Sequence, residues 1–483
     1  MSETLSQTRR DDLSADEGGS TEEPALYVVL EGERALSGGM RIPLNGIDEL
    51  RLGRGVTRTF ALGDGKKASL EIPDPRMSGK HARLVREEGG WLIEDTNSTN
   101  GTFVEGKRTS QALLEEPTVI TLGATCLIFE PAEQVPDTIK TVVVDSTSLK
   151  SRPRGTATLV PMVESAMPRL VRVAMSKLSV LLLGDSGAGK EVLAQTIHKL
   201  SGRSGPFVAI NCGALAPTLV ESQLFGHLKG AFSGAMKDEP GLVRASSGGT
   251  LFLDEIGELP PSAQATLLRV LQEKEVLPVG GTKPVPVDLR VVAATLKPID
   301  QTETFRSDLY ARIAAFVHRL APLRERKGDI GLIVADLLPR LAAERAQKVR
   351  FAPDLATAIV SHSFPLNFRE LEHILSVALV TSSEDLLRLE AVGDALKPPK
   401  TSKSPEEPAP SGKEVLRDTG KHSRAPRELT EDELKLKDEL VAALTKTKGN
   451  ISEISRTMGK TRMQIHRWMK RFGLDPETFR GGS

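Results

Sequence analysis

The chain has 483 residues, with 64 Lys and Arg, 64 Asp and Glu, and two cysteines. At about 150 residues per domain this length predicts about three domains. The balanced charge excludes a globally basic nucleic-acid-binding protein, so any basic face must be local. Two distant cysteines in apolar segments indicate a reducing compartment without a disulfide framework. With no apolar signal core and no apolar run near the ~18 residues that span a bilayer, we expect a cytoplasmic protein without a membrane partner.

Composition divides the first part of the chain into three segments. Residues 1–24 are polar and acidic, which predicts a disordered tail. Residues 25–130 contain short alternating strands separated by Gly, Asn and Asp, which predicts an all-β sandwich. Residues 131–155 are rich in Pro, Ser and Lys and are interpreted as a linker.

The second part of the chain also divides into three segments. Residues 156–395 alternate apolar strands with helical patterns, which predicts an α/β domain with a parallel sheet. Residues 396–428 are poor in apolar residues and are interpreted as a second linker. Residues 429–483 are predicted to be all-α.

The stretch GDSGAGKE follows the apolar strand 180–183 and opens an amphipathic helix. Glycines let backbone N–H groups surround phosphate oxygens, the helix N-terminus adds positive potential, and Lys190 reaches the terminal phosphates. Glu191 stands where Ser or Thr usually follows the lysine, so a metal needs another ligand. The predicted ATP-binding residues here are Gly184, Asp185, Ser186, Gly187, Ala188, Gly189, Lys190 and Glu191.

A second apolar strand, in GGTLFLDEIGE, ends in two acidic residues. Asp254 is a candidate Mg²⁺ ligand, and Glu255 is a candidate for polarising the attacking water. We also assign Gly248 and Gly249 to ATP binding. The alternative is that the two acidic residues are simply a solvated strand end. If they lie beside the phosphate-binding loop, this alternative is disfavoured.

These motifs resemble the AAA+ ATPase domain of bacterial enhancer-binding activators of sigma-54 RNA polymerase. The resemblance covers residues 156–395 and is carried, in the family's order, by GDSGAGKE, FVAINCGAL, ESQLFGHLKGAFSGA, GGTLFLDEIGELP, QATLLRVLQEKEVLPVGG, DLRVVAAT, FRSDLYARI, LAPLRERKGDI and FRELEHIL. It implies an α/β P-loop ATPase with a helical lid, ATP and Mg²⁺ as cofactors, and a hexamer when active.

The resemblance also implies roles for single residues. Asn211 resembles the partner that holds Glu255 away from water, and Arg369 resembles the second nucleotide sensor. Arg306 and Arg312 resemble arginine fingers that reach a neighbouring subunit's γ-phosphate. With Asp254, these are the expected catalytic residues.

Some positions depart from the family pattern. Leu296 stands where Asn is usual, and the sequence SFPLNFRE has Phe364, Leu366 and Phe368 as substitutions. We expect these departures to affect the ATPase rate and nucleotide coupling and not the fold.

The hexapeptide GAFSGA places one aromatic residue among small ones, a pattern that no core favours. In the family this loop tip grips the sigma factor, so Phe232 is expected to be the exposed contact. Ser233 stands where Thr is commoner. An apolar loop folded back on its own domain is the alternative. The expected sigma-factor contacts are Gly230, Ala231, Phe232, Ser233, Gly234 and Ala235.

The sandwich segment carries LRLGRG, MSGKHARL and EDTNSTNGTFVEGKR and resembles the forkhead-associated (FHA) domain, a phosphothreonine-peptide reader. The resemblance implies that Arg54, Ser78 and Thr99 bind phosphate, Asn100 holds the peptide backbone and His81 braces the loop. Gly79 stands where the family often has Arg or Asn, with Lys80 as a candidate substitute. A protein-docking sandwich that reads no phosphate is the alternative.

The C-terminal segment shows two capping boxes, a glycine turn and a basic final helix, which predicts a helix-turn-helix. The expected core stripes of the three helices are, in chain order, Leu434, Leu440, Val441 and Leu444, then Ile451, Ile454 and Met458, then Ile465, Trp468, Met469 and Phe472. The segment resembles the Fis-type DNA-binding domain; a three-helix docking module is the alternative. The expected DNA contacts are Thr461, Arg462, Gln464, His466, Arg467, Lys470 and Arg471.

Together these features predict a sigma-54-dependent activator with an FHA sensor. Its expected partners are sigma-54 RNA polymerase, upstream DNA, a phosphothreonine protein from a Ser/Thr kinase pathway and further copies of the chain. Two other functions stay open, a phosphopeptide-gated AAA+ remodeller of another protein and a non-hydrolysing DNA-bound scaffold.

Overall fold

A computed structural model describes residues 19–216, 218–296, 299–302 and 304–396, together with 437, 440–445, 447, 468, 469 and 472. These residues belong to two compact units, Met1–Lys400 and Thr401–Ser483. The predictions for residues 1–18 and 397–428 therefore lie outside the described residues. Within the described ranges, no helix has the length and apolar character needed to cross a membrane.

The first unit begins with a two-sheet β-sandwich. Its strands are β1 (Ser20–Glu31), β2 (Met40–Pro43), β3 (Glu49–Arg54), β4 (Thr59–Leu62), β5 (Lys67–Ile72), β6 (Ala82–Glu87), β7 (Gly90–Asp95), β8 (Thr102–Val104), β9 (Lys107–Thr109), β10 (Gln111–Leu114), β11 (Thr118–Leu122), β12 (Thr125–Pro136) and β13 (Val144–Asp145). One sheet has the order β13-β2-β1-β12-β11-β8-β9, and the other has the order β10-β7-β6-β3-β5-β4. The predicted all-β sandwich is confirmed.

An α/β domain (residues 161–319) and a helical lid (residues 323–396) follow the sandwich. The strands are β14 (Val180–Leu183), β15 (Phe207–Asn211), β16 (Thr250–Asp254), β17 (Glu275–Val276), β18 (Val285–Pro286), β19 (Arg290–Thr295), β20 (Phe316–Arg319), β21 (Arg350–Phe351) and β22 (Leu386–Leu387). The helices are α1 (Pro161–Ala174), α2 (Lys190–Leu200), α3 (Val220–Phe225), α4 (Gly241–Ala245), α5 (Pro261–Glu273), α6 (Ser307–Ile313), α7 (Ile330–Leu341), α8 (Pro353–Ser361) and α9 (Asn367–Thr381).

The central sheet of the α/β domain has the order β15-β16-β19-β14-β20, and all its strands are parallel. Apolar clusters cover both faces, as a parallel sheet requires. The carboxyl ends of β14, β15 and β16 therefore meet at one edge. This edge carries the phosphate-binding loop, Asn211 and Asp254.

β1 and β12 are buried on both faces, unlike strands of a sandwich that faces water on one side. Leu26 and Val28 point into the sandwich, whereas Ala25, Tyr27 and Val29 point to the lid. The lid side forms a shared cluster that we call the sandwich–lid core. It includes Tyr27, Val29, Val119, Cys126 and Ile128 of the sandwich and Leu323, Ile330, Val334, Leu337, Phe351, Leu355 and Ile359 of the lid.

The boundaries of the sandwich differ from those predicted. β1 begins within the predicted tail and pairs Ser20 with Pro136, so β12 extends into the predicted linker 131–155. Val144 and Asp145 in the same linker pair with β2. The polar composition misled the prediction because strand pairing uses backbone groups, which every residue except proline supplies in full.

The second unit is described at few positions. Leu440, Leu444 and Met469 are buried there, and Ala443, Trp468 and Phe472 pack against them. This cluster confirms the predicted apolar stripes at Leu440, Leu444, Trp468, Met469 and Phe472. Apart from these six and residues 437, 441, 442, 445 and 447, the predicted helix-turn-helix lies outside the described part of the chain.

Glu130 on β12 gives the sandwich–lid contact a pH dependence. Burial raises the pKa of its carboxyl from 4.5 to about 7, Glu133 adds to the rise, and Lys327 of the lid opposes it. A pKa that is higher in the folded state means that the free energy of unfolding falls as pH rises from about 4.5 to about 7.

We therefore predict that Glu130→Gln raises the thermal midpoint relative to wild type at pH 8, with a much smaller difference at pH 5. Calorimetry at both pH values measures this, with the exposed Glu87→Gln as control. A Glu130→Gln variant less stable than wild type at pH 8 contradicts the prediction, because attraction to Lys327 would then outweigh burial.

Candidate functional site

The phosphate-binding loop, residues 184–190, joins β14 to α2. Gly187 has φ +73° and Gly189 has φ +90°, conformations that side chains rarely adopt. The Lys190 ammonium group donates to the carbonyl oxygens of Gly184 and Asp185 at 2.9 and 3.0 Å. Burial lowers the pKa of Lys190, and the charges of Asp254 and Glu255 oppose that shift. The loop thus holds a cation at its centre.

The lid helix α9 lies against this loop. The Asn367 side chain donates to the Ser186 carbonyl at 2.9 Å, and the Phe368 N–H donates to the Gly187 carbonyl at 3.0 Å. Arg369 donates to the Ser186 hydroxyl at 3.0 Å. Sequence reasoning identified Arg369 but missed Asn367. Three consecutive lid residues therefore fix the lid to the loop.

Asn211, Asp254 and Glu255 lie together at the carboxyl edge of the sheet. Asn211 pairs with Asp254 across β15 and β16. The oxygens of the Asn211 and Glu255 side chains lie 3.3 and 2.7 Å from the point where a Cβ on Gly213 would stand. Among the described residues no hydrogen bond joins these two side chains, and the Asn211 side-chain oxygen accepts from the Ala214 N–H at 3.1 Å.

A cavity of about 1300 Å³ brings these groups together. The sequence-predicted residues that line it are Gly184, Asp185, Ser186, Gly187, Ala188, Gly189, Lys190, Glu191, Asn211, Asp254, Glu255 and Arg369. Leu296 also lines it. Sequence reasoning missed the contribution of the sandwich, which supplies Leu36, Ser37 and Gly38.

The assignment of Gly248 and Gly249 to ATP binding is wrong. These glycines lie at the amino end of β16, opposite Asp254, and do not line the cavity. Gly248 has φ +77°, a conformation that favours glycine, and Gly249 allows close backbone packing, because a Cβ there would lie 1.9 Å from the Pro206 carbonyl oxygen.

The donor set of the cavity fits Mg²⁺. Asp254 and Glu191 are carboxylates that line it, and Mg²⁺ is typically held by one or two carboxylates together with phosphate oxygens and water. Among the described residues no group of three or more His, Cys, Asp or Glu could hold a metal without such help. Asp254 would hold the ion.

Arg306 and Arg312 lie away from the cavity of their own chain. Both are exposed, on or just before α6, and neither lines the cavity. Arg306 forms a bidentate pair with Asp308 at 3.1 and 2.8 Å. Hydrogen bonding to Asp308 raises the pKa of Arg306, so its guanidinium stays charged.

The GAFSGA segment forms a tight surface loop. The Gly230 N–H donates to the Ala235 carbonyl at 2.9 Å, which closes the tip. Phe232 is 37% exposed, and its ring contacts the His227 ring edge-on at a centroid distance of 5.0 Å. Leu228 and Met236 nearby are exposed apolar side chains. The phenylalanine is therefore braced from one side and open to solvent on the other.

The candidate phosphopeptide residues converge on one end of the sandwich. The Ser78 hydroxyl accepts from the Thr99 N–H at 3.1 Å, and the Arg54 N–H donates to the Ser78 carbonyl at 2.9 Å. The Asn100 side chain donates to the Arg76 carbonyl at 2.7 Å. Arg54, Thr99 and Asn100 are exposed, as is Lys80.

His81 supports this end from below. It is fully buried; its Nδ1 accepts from the Ser78 N–H at 3.0 Å, and its Nε2 lies 3.2 Å from the Gly101 carbonyl. Burial lowers the pKa of His81, which favours the neutral ring with the proton on Nε2. The ring therefore bonds both loops that present Ser78 and Thr99.

The predicted DNA contacts Thr461, Arg462, Gln464, His466, Arg467, Lys470 and Arg471 all lie outside the described residues. Cys126 and Cys212 are both free and buried, as predicted, and burial raises the pKa of their thiols to about 11 and about 12.

Comparison with protein families matches three segments of the chain. Residues 158–318 match the sigma-54 interaction domain, 50–123 match the FHA domain, and 324–409 match the AAA+ ATPase lid domain. The fold, the cavity and these matches define an AAA+ nucleotide-binding protein with an FHA domain.

Comparison with individual proteins gives several relatives. The chain is 42% identical over 262 residues to the sigma54-dependent transcriptional activator SfnR of Pseudomonas putida, covering 53% of this chain and 71% of SfnR. It is 37% identical over 321 residues to the acetoin catabolism regulatory protein of Cupriavidus necator, covering 65% of this chain and 46% of that protein. The transcriptional regulatory protein GlrR of Escherichia coli is 37% identical over 313 residues, covering 64% of this chain and 66% of GlrR.

Among solved structures, NtrX from Brucella abortus in complex with ADP matches with a TM-score of 0.46 and 26% identity, covering 68% of this chain and 72% of NtrX. The FHA domain of CT664 from Chlamydia trachomatis matches with a TM-score of 0.18 and 27% identity, covering 22% of this chain and 96% of that domain. The match to SfnR shows the family, and the chain belongs to the sigma-54-dependent transcriptional activators.

Proposed function

We propose that the chain is an ATP-hydrolysing hexameric activator that binds upstream DNA and remodels the closed complex of sigma-54 RNA polymerase. Phosphothreonine recognition by the FHA domain supplies its input. The observation that carries the proposal is the convergence of Lys190, Asp254 and Glu255 in one cavity, on a chain that also presents the exposed Phe232.

The chemistry follows from the positions of these side chains. Lys190, already held at the centre of the loop, would neutralise the terminal phosphates of ATP. Asp254 would hold Mg²⁺, which neutralises charge on the phosphate oxygens when bound. Glu255 would orient and polarise the attacking water, because its carboxylate lines the same cavity.

Hydrolysis would need a neighbouring subunit. The exposed Arg306 and Arg312 cannot act on the cavity of their own chain without moving into it, so we assign them to the γ-phosphate of a neighbour. If each subunit supplies its arginines to the nucleotide of the next, the subunits must form a ring. The ring that we propose is a hexamer.

The two ends of the chain would supply input and location. The exposed Arg54, Thr99 and Asn100 beside Ser78 form a donor-rich surface that suits a phosphate dianion. No acidic residue occurs between Arg456 and Arg471, so we propose that this segment contacts DNA phosphates.

We predict that Glu255→Gln lowers the ATPase rate by about 100-fold or more while ATP binding persists, because only activation of the water is lost. Lys190→Ala should lose ATP binding. Coupled-enzyme assays and nucleotide titration measure these effects, with the exposed Glu273→Gln as control. An unchanged ATPase rate in Glu255→Gln would contradict the assignment of Glu255 as the residue that activates the attacking water.

We predict that Phe232→Ala abolishes capture of the sigma factor by the ADP–aluminium fluoride form, while thermal stability and ATPase activity remain. The reason is that the exposed ring fills no core, whereas truncating a core Phe costs about 3–5 kcal/mol. Pull-down with purified sigma-54 measures capture, and the exposed Val380→Ala is the control.

Two outcomes decide against this role of Phe232. If Phe232→Ala unfolds the protein, the ring belongs to a core. If the wild-type chain hydrolyses ATP but captures no sigma-54, the function is that of a remodeller acting on another protein.

We predict that the full chain binds phosphothreonine peptides and that Arg54→Ala weakens binding about tenfold or more, since a charge-assisted hydrogen bond is lost. Calorimetry with phosphorylated and plain peptides measures this, with the exposed Arg86→Ala as control. Equal affinity for both peptides would make the sandwich a docking domain that reads no phosphate.

A further inference from the structure

We infer that the FHA sandwich is a structural part of the nucleotide site, because its contact with the lid holds Arg326 against the Phe368 ring and Phe368 against the phosphate-binding loop. Both are positioning residues for nucleotide binding. The inference rests on the nucleotide site proposed above and requires neither a phosphopeptide nor DNA.

The contact begins where two lid glycines meet β1. A Cβ on Gly331 would lie 2.0 Å from the Val29 carbonyl oxygen and 2.8 Å from that of Gly38. A Cβ on Gly328 would lie 2.5 Å from the Tyr27 ring. Separations this short exclude any side chain, so the lid surface at Gly328 and Gly331 fits the sandwich only as glycine.

Polar contacts beside these glycines fix the register of the two surfaces. The Phe351 N–H donates to the Gly32 carbonyl at 2.7 Å. The hydroxyls of Thr121 and Thr357 are hydrogen-bonded at 3.0 Å. Together with the sandwich–lid core, these hydrogen bonds fix the sandwich in a single position on the lid.

The contact continues through the segment that joins the sandwich to the α/β domain. The Tyr27 hydroxyl donates to the Glu133 carboxylate and lies 3.5 Å from the Leu159 carbonyl oxygen. The Leu159 N–H and the Thr158 hydroxyl each donate to the Asp329 carboxylate at 2.7 Å. Asp329 is fully buried. The segment is thus clamped between β1 and the turn that precedes α7.

From Asp329 the contact reaches the phosphate-binding loop in two steps. The Arg326 guanidinium donates to Asp329 at 2.7 Å and lies 5.6 Å from the centroid of the Phe368 ring. The Phe368 N–H bonds Gly187, and its ring lies 3.2 Å from the point where a Cβ on Gly189 would stand. Phe368 therefore touches the loop through both backbone and ring.

This geometry has an energetic consequence for binding. When the sandwich already holds the lid in place, nucleotide binding does not have to order the lid. Loss of the sandwich–lid contact therefore lowers the apparent affinity for nucleotide. Coupling between two distinct sites of a protein is typically worth about 5- to 150-fold in affinity, and we take the lower end of that range as the expected size of this effect. Leu36, Ser37 and Gly38 of the sandwich reinforce the effect because they line the same cavity.

The test is the Kd of the full chain for ADP, measured with a fluorescent ADP analogue in wild type and Gly331→Ala. Alanine has a higher helix propensity than glycine, so the substitution does not weaken α7 itself. Weaker ADP binding would therefore come from the lost contact between lid and sandwich. We expect Gly331→Ala to raise the Kd about fivefold or more. The control Gly89→Ala, in a sandwich turn with no atom within 4 Å of its added Cβ, should leave the Kd unchanged.

A pair of variants at Phe368 guards against a folding defect in Gly331→Ala. Phe368→Leu removes the ring beneath Arg326 and should raise the Kd, whereas Phe368→Tyr keeps the ring and should bind ADP more tightly than Phe368→Leu. The unfolding midpoint without nucleotide, measured in parallel, separates a loss of stability from a loss of binding. Substituting a purely structural residue would lower the midpoint and leave the Kd unchanged.

An unchanged or lower Kd in Gly331→Ala or in Phe368→Leu overturns the inference while the nucleotide site stands. A wild-type chain that binds no ADP overturns the nucleotide site and this inference with it.

Discussion

The burial of β1 and β12 on both faces is the constraint on which the first unit depends. Leu26 and Phe129 hold the two sheets of the sandwich together, while Tyr27 and Ile128, one position along the same strands, hold the sandwich to the lid. Alternating residues therefore serve two cores, and each fully buried large apolar side chain contributes about 1.5–3 kcal/mol. Because one strand belongs to both cores, neither domain can move away without exposing apolar surface.

The nucleotide cavity depends on this arrangement, because the lid that packs on the sandwich also contacts the phosphate-binding loop. The phosphate-binding loop is fixed by its own strand and helix, but its outer side is held by Asn367, Phe368 and Arg369 of the lid. The groups proposed for partners lie elsewhere on the surface. Phe232 and Arg54 are exposed and stand outside the sandwich–lid core. The unit thus combines a firmly packed centre with exposed contact residues, which suits a protein that reads one partner and acts on another.

The sequence alone predicted the parts of this structure that depend on local patterns. The phosphate-binding loop and the Asp254–Glu255 pair were found because each follows an apolar strand directly and needs no distant residue. Gly248 and Gly249 were misassigned because a glycine pair that permits close packing on Pro206 has the same sequence pattern as one that approaches a phosphate. The contact between sandwich and lid involves residues about 300 positions apart, which single-sequence reasoning cannot pair. A signal was present nonetheless, since ALYVVL and CLIF are unbroken apolar runs that indicate strands buried on both faces.

Hydrogen exchange at three consecutive amides tests most directly whether sandwich and lid form one body. In the lid strand β21 and the residue after it, the N–H groups of Arg350 and Ala352 donate to the carbonyl oxygens of Asp385 and Leu387, whereas the Phe351 N–H between them donates to that of Gly32 in the sandwich. If the contact persists in solution, the Phe351 amide exchanges as slowly as its two neighbours. A Phe351 amide that exchanges orders of magnitude faster than both neighbours would show that the sandwich leaves the lid while the lid stays folded, and would contradict the account.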